Sequence, residues 1–265
     1  MPLLEDKIAL ITGGGAGFGR GMVTRFAQEG ARVLVAEYDA ARCEALRHDY
    51  EGDDRVHIVA TDVREKDQVL AAVDAAVKTF GGLDILVNNA ITLSPRLPLE
   101  QKTDEILDGT LHAGLWAAWW AMHAARPHLR ARGGGSIINF SSIDVETGAW
   151  LNADYVVTKS AIMGLTRNAA HEWGRFGIRV NAIAPAGMGS QFMNYVEEIP
   201  GFAERSAALK PLGRNGDPEH DIAPVAVFLA SEMSRYVTGE LIHVDGGLHL
   251  PGYQSRPPDL TAFAS

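Results

Sequence analysis

The chain has 265 residues, 46% of them hydrophobic, and a formal net charge of -9 with no basic run, which argues against nucleic acid or an anionic membrane as its main partner. Its single cysteine, Cys43, excludes an internal disulfide and fits a reducing compartment. The longest apolar helical run, 115–122, is far short of the roughly 20 residues a membrane span needs, and the early acids of M-P-L-L-E-D-K-I do not match a secretory leader, so a cytoplasmic protein is expected.

The first strand, K-I-A-L-I-T at 7–12, runs into T-G-G-G-A-G-F-G-R and a helix over 17–29. Glycines there allow a tight turn and close approach of a phosphate, and the helix start offers free N–H groups and a positive dipole end. The spacing G-x-G-x-x-G is not met; T-G-x-x-x-G-x-G is, on Gly13, Gly17 and Gly19. The second strand, 32–37, ends on Glu37, an acid placed to accept hydrogen bonds from an adenosine ribose and to repel a 2′-phosphate. With no Lys or Arg inside the glycine turn and Tyr38 after the acid, the pattern favours NAD over NADP. A third strand at 56–61 precedes a helix over 64–80, and a fourth at 84–89 ends in N-N-A.

A long helix is predicted over 103–130, carrying Trp116, Trp119, Trp120 and Met122 at packing intervals. The fifth strand, 136–141, is followed by a helix over 153–176 that contains Y-V-V-T-K. On a helix Tyr155 and Lys159 lie side by side; by itself that pair is open to a reading as packing plus a solvated charge. The sixth strand is 178–184. Residues 186–217, rich in Gly, Pro and Met, form a separate segment in which Gln191, Phe192, Met193 and Tyr195 suggest a short amphipathic lid helix. The seventh strand is 240–245, and a proline-rich tail fills 248–265. Seven strands this apolar, alternating with helices, predict one doubly wound α/β domain of Rossmann type spanning 1–265, with a parallel sheet covered on both faces. The nine histidines show no ligand spacing, so no metal site is expected.

Taken together, T-G-G-G-A-G-F-G at 12–19, T-D-V at 61–63, N-N-A at 88–90, S-S at 141–142, Y-V-V-T-K at 155–159, R-V-N-A-I-A-P at 179–185 and V-D-G-G at 244–247 resemble the short-chain dehydrogenase/reductase family over roughly residues 5–247. The resemblance implies a seven-stranded homotetramer that oxidises a secondary alcohol or reduces a ketone with a nicotinamide cofactor. It implies cofactor contacts along the glycine loop (Gly13, Gly15, Gly17, Phe18, Gly19), at Asp62 and Val63, at the turn Asn88, Asn89, Ala90, and at Pro185, Met188 and Ser190. Tyr155 would be the general acid/base, Lys159 the ribose anchor that lowers the tyrosine pKa, and Ser142, favoured by its spacing over Ser141, the group that holds the substrate oxygen. A free phenol titrates near 10, so moving it by about 3 units takes roughly 4 kcal/mol. The loop holding Asp144 and Trp150, and the lid with Phe192, would border the substrate, and the tryptophan helix would meet a symmetry mate. The sequence departs from the family at Gly114, where an asparagine helps hold a proton-relay water, and at Ile91, commonly glycine. Glycine in mid-helix costs about 1 kcal/mol relative to alanine. Exposed, kinked backbone at Gly114 holding the water directly is one expectation. An NAD-binding protein without turnover, or an NADP-dependent carbonyl reductase, are the alternatives.

Overall fold

A computed structural model describes residues 2–250; the expected tail lies outside these from 251 onward. Seven strands, β1 (Ile8–Thr12), β2 (Arg32–Glu37), β3 (Val56–Ala60), β4 (Ile85–Asn88), β5 (Gly135–Phe140), β6 (Ile178–Pro185) and β7 (Leu241–Val244), form one sheet in the order β3-β2-β1-β4-β5-β6-β7. Every pairing is parallel. The central strands are apolar and buried along their length, as in I-A-L-I-T of β1, because helices cover both faces.

On one face lie α1 (Gly17–Gln28), α2 (Ala40–Asp49) and, late in the chain, the helix Ala223–Ala230; Met22, Phe26, Leu46 and Val227 pack there against alternate residues of β1, β2 and β4. On the other lie α3 (Lys66–Phe80), the long segment after β4, and the helix Ala153–Trp173, with Val73, Met122, Leu129 and Trp173 filling the second core. Burial of each large side chain stabilises by about 1.5–3 kcal/mol.

The long helix expected over 103–130 is interrupted. It is α4 (Asp104–Leu111), a π-helical turn (His112–Trp116) and α5 (Ala117–Ala131). In that turn the Ala117 N–H reaches back to the His112 carbonyl, five residues earlier. After β5 come a single-turn α6 (Asp144–Thr147) and α7 (Ala153–Trp173). The segment 186–217 folds into two helices, α8 (Ser190–Glu198) and α9 (Phe202–Ala208), followed by α10 (Ala223–Ala230). The amphipathic lid helix is therefore present as α8; α9, its packing partner through Phe202, carried no separate signal in the sequence. No helix among the described residues is long and apolar enough to cross a membrane.

Candidate active site

Where β1 and β4 lie side by side the strand order reverses, and a cavity of about 680 Å³ opens at the carboxyl ends of the strands. Open α/β sheets hold ligands at this point. Gly13 leaves β1 with φ of 66°, and a β-carbon on it would lie 3.0 Å from Ala90 Cα. A β-carbon on Gly19 would lie 2.0 Å from the Gly13 carbonyl oxygen, so only glycine lets α1 start against the turn. The turn is pinned from β4: Asn89 Nδ2 donates to the carbonyls of Thr12 and Gly13, both at 3.0 Å, and Thr12 Oγ1 accepts from the N–H groups of Asn89 and Ala90. Asn89 thus shapes the loop with its side chain while lining the cavity. Gly13 and Phe18 line the same wall, and the α1 N-terminus directs its free N–H groups and positive dipole end there.

At one end of the cavity stands Glu37, 5% exposed. Its Oε2 accepts from the Gly15 N–H at 2.8 Å, and its Oε1 from the N–H groups of Tyr38 and Asp39 at 2.9 and 3.0 Å. A carboxylate has about four acceptor sites, so the cradle holds the acid in place and leaves it capacity for a ligand hydroxyl. Asp62 and Val63 line this end too. Arg64 grips Asp62 from Nε and Nη2, at 2.9 and 2.6 Å, and holds its carboxyl below the ordinary range. Arg64 and Arg42 border the same end. Sequence reasoning missed both. Arg42 lies on the first turn of α2, where a cation reads as ordinary solvated helix charge; its guanidinium makes no ion pair or hydrogen bond among the described residues.

At the other end, Ser142 follows β5 and Tyr155 and Lys159 occupy the first two turns of α7, all three on the cavity wall. Ser142 is 8% exposed, and its Oγ accepts from the Asp144 N–H at 3.2 Å. Ser141 is tied differently, its Oγ to the Lys159 carbonyl at 3.5 Å. Lys159 is 3% exposed; its Nζ donates to the Phe140 carbonyl at 2.6 Å and lies 5.6 Å from the Tyr155 ring centre. Burial pushes the Lys159 ammonium down to about 8. Burial also pushes the Tyr155 phenol up to about 12, opposed by a hydrogen bond from Ser142 and reinforced by the Asp144 charge. The expected lowering of Tyr155 by Lys159 is not the dominant effect within the protein; desolvation of the phenolate is.

A family model described as Enoyl-(Acyl carrier protein) reductase matches residues 13–249. The chain is 33% identical over 256 residues to the 12alpha-hydroxysteroid dehydrogenase of Clostridium sp., covering 94% of this chain and 98% of that one. It is 34% identical over 251 residues to the 3beta-hydroxysteroid dehydrogenase 2 of Eggerthella lenta, covering 93% and 96%. The crystal structure of Levodione Reductase shares its fold at a TM-score of 0.88 and 31% identity, covering 94% and 100%. The chain belongs to the short-chain dehydrogenase/reductase family. As a short-chain dehydrogenase/reductase it is an oxidoreductase acting between alcohols and carbonyl compounds with a nicotinamide cofactor, NAD or NADP.

Against that family pattern, Gly114 is buried inside the π-helical turn, not exposed. A β-carbon there would lie 2.4 Å from Thr158 Cγ2 and 2.9 Å from Ile91 Cδ1. The two departures are therefore one: Ile91, with Thr158, fills the space that a side chain at 114 would need. His112 faces away, as its spacing predicts, with Nδ1 on the Asp108 carbonyl. Pro185 ends β6 on the cavity wall. Met188 directs its N–H to the Gly216 carbonyl at 2.8 Å, so that group is already bonded within the protein. Ser190 begins α8 and rests on the glycine loop: a β-carbon on Gly17 would come 2.7 Å from its nitrogen. Asp144 and Phe192 line the cavity, Phe192 packed on Phe202. Trp150 does not belong with them. It is 88% exposed and off the cavity wall, reached there only through its carbonyl, which accepts from Arg96, because the loop turns its indole outward to solvent.

Proposed function

We propose that this chain is an NAD-dependent dehydrogenase of secondary alcohols, working reversibly as a ketone reductase. What carries the reading is the placement of Ser142, Tyr155 and Lys159 on the wall of the same cavity that the glycine loop and Glu37 enter from the other end. The residues present suit a dinucleotide: a glycine turn where a β-carbon would crowd the neighbouring chain, a helix start facing it, and an acid cradled by three backbone N–H groups. When bound, NAD supplies the hydride acceptor and a positive charge beside Tyr155. Gly13, Gly15, Gly17, Phe18 and Gly19 would hold its diphosphate side, Glu37 its adenosine ribose, Asp62 and Val63 its adenine. Asn89 and Ala90 would carry the turn beneath it, and Pro185 and Ser190 would border its nicotinamide end. Lys159, fixed by the Phe140 carbonyl, would donate to the nicotinamide ribose. Ser142 would hold the substrate oxygen by donating to it, and Tyr155 would take the hydroxyl proton. A phenol pushed up by burial needs a cation near it to become a base, so proton abstraction is confined to the charged, loaded site.

The acid at Glu37 supports NAD. A specific observation favours a second reading: Arg42 stands at the same end with an uncommitted guanidinium, the group that suits a 2′-phosphate. Comparing kcat/KM for NAD and NADP with one alcohol separates the two. A preference for NAD of about tenfold or more is expected; the opposite preference would remove Glu37 from its role. A panel of secondary alcohols with Tyr155→Phe alongside tests the chemistry. Turnover lost in the variant supports it, and a protein that binds NAD yet oxidises nothing would leave the non-catalytic alternative standing. A cytoplasmic homotetramer joined partly through the exposed Trp116 and Trp119 is the assembly we propose.

A further inference from the structure

Asp144 is the first residue of α6, and its N–H donates to Ser142 Oγ at 3.2 Å. Its carboxylate therefore starts from beside the hydroxyl that would hold the substrate oxygen, and it lines the same cavity as Ser142 and Tyr155. Apart from Lys159, the charged side chains on this side of the cavity are Asp144 and Lys210. Lys210 is spoken for: its Nζ donates to the Ser206 carbonyl at 2.9 Å, to Ser206 Oγ at 2.8 Å and to Asn215 Oδ1 at 3.0 Å, which uses all three protons. Asp144 has no ion-pair partner within 4 Å among the described residues. Arg96, whose charge acts on it, directs its guanidinium to the Tyr195 hydroxyl and the Trp150 carbonyl. Leu93, Ile143, Phe192 and Phe202 make the neighbouring wall apolar. A half-buried acceptor in such a wall is costly when a ligand covers it without offering a donor. Burial raises the Asp144 carboxyl above the ordinary range, opposed by a hydrogen bond from Ser142, the same hydroxyl that would turn to the substrate oxygen.

We propose that Asp144 selects the substrate by accepting a hydrogen bond from a hydroxyl on the carbon next to the reacting carbinol, so that the preferred substrates are vicinal diols on an apolar ring. This rests on the dehydrogenase reading above. In the reaction the carbinol C–H bond breaks and its electron pair leaves as hydride to oxidised NAD. The O–H proton passes to Tyr155, the C=O bond forms, and the product is an α-hydroxy ketone whose second hydroxyl stays on Asp144. An alcohol bearing a methyl group in place of the second hydroxyl leaves the carboxylate covered and unpaired. Sites built around a substrate hydroxyl reject analogues that lack it far more strongly than apolar pockets reject a missing methylene.

The test compares cyclohexane-1,2-diol with 2-methylcyclohexanol by kcat/KM with NAD, in the wild type and in Asp144→Leu and Asp144→Asn. The wild type is expected to prefer the diol by about tenfold or more. Asp144→Leu should bring the ratio to about threefold or less, and Asp144→Asn, which keeps an acceptor of the same shape, should retain most of it. Calorimetric titration of the diol into NAD-loaded Tyr155→Phe protein gives a readout independent of turnover: adding Asp144→Leu should weaken diol binding by a similar factor, with 2-methylcyclohexanol unaffected or improved. Turnover of both alcohols without a diol preference, or a preference that survives Asp144→Leu, overturns the assignment of Asp144 alone. Turnover of neither alcohol, with wild-type binding of NAD intact, overturns both it and the dehydrogenase reading beneath it.

Discussion

At Gly114 the neighbours leave no room for a side chain, and Thr158 is the stiffer of the two. Its Oγ1 is bonded to the Asp154 carbonyl at 2.9 Å, which fixes the methyl that a β-carbon would meet. Ile91 reaches the same spot with a terminal methyl that can turn aside. Gly114→Ala is therefore expected to lower stability by about 1–3 kcal/mol in urea unfolding, as overpacking does, despite alanine's better helix propensity. Thr158→Ser, which keeps the hydroxyl and drops the methyl, should recover most of that loss in the double variant. A stabilised Gly114→Ala would show the site to be looser than described. Asp144 carries a second prediction at this scale. Burial holds the Tyr155 phenol up and the Asp144 charge adds to it, and in the proposed reaction alcohol oxidation needs the tyrosine deprotonated. Removing the charge in Asp144→Asn lowers the pH at which Tyr155 ionises, so the acid limb of the kcat/KM profile should move to lower pH. A limb that stays put or moves up would detach Asp144 from the base.

Between the elements, helix α7, which carries Tyr155 and Lys159, is fastened by a buried ion pair. Lys102, whose side chain is 5% exposed, meets Asp154 Oδ1 at 2.6 Å, and Asp154, 1% exposed, also accepts from Thr110 of α4 at 2.7 Å. Lys102 further donates to Ser94 Oγ and the Pro95 carbonyl, so the loop after β4, α4 and the first turn of α7 share one knot beside Tyr155. Burial alone would raise the Asp154 carboxyl; hydrogen bonds from Lys102, Ser94 and Thr110 hold it below the ordinary range instead. Lys102→Met strands the acid and is expected to cost about 3–5 kcal/mol in denaturant unfolding, with Lys102→Met/Asp154→Leu closer to wild type than either single change. Additive losses in the double variant would count against the pairing. Nothing in the sequence announced this knot, since 52 positions separate the partners in the chain (154 − 102) and neither forms part of a spaced motif. The strands, by contrast, were legible to within a residue or two, because burial on both faces leaves the central ones a continuous apolar run, and β-branched residues between turns mark the half-buried edge strands β3 and β7. The placement of the glycine loop, Glu37 and the Y-V-V-T-K pair on one cavity was legible for a related reason: it depends on local spacing along the backbone. The break in the long helix was not, because it depends on Ile91 and Thr158 arriving from elsewhere, and neither was the outward turn of Trp150, which follows from the path of a loop.

Across the whole molecule, the two cores flank one sheet and the cavity opens at the carboxyl ends of its strands. Trp116 of the π-helical turn, Trp119 of α5 and Val157 of α7 are exposed among the described residues. Aromatic side chains of this size, exposed together on neighbouring elements, are the composition of a buried contact. Trp116→Glu/Trp119→Glu is expected to shift the sedimentation of the protein to a smaller species with its fold retained; unchanged sedimentation at all concentrations would place the subunit contact elsewhere. A different consequence follows from where α8 begins. Ser190 sits on Gly17, so the root of the α8–α9 pair bears on the loop proposed to receive the dinucleotide, while Phe192 and Phe202 of the pair line the proposed substrate end of the cavity. On that reading an order of traffic is expected: the dinucleotide enters first and departs last, and the alcohol and ketone come and go while it stays. In steady-state kinetics that sequence shows as competitive inhibition by reduced against oxidised dinucleotide, and noncompetitive inhibition by ketone against alcohol.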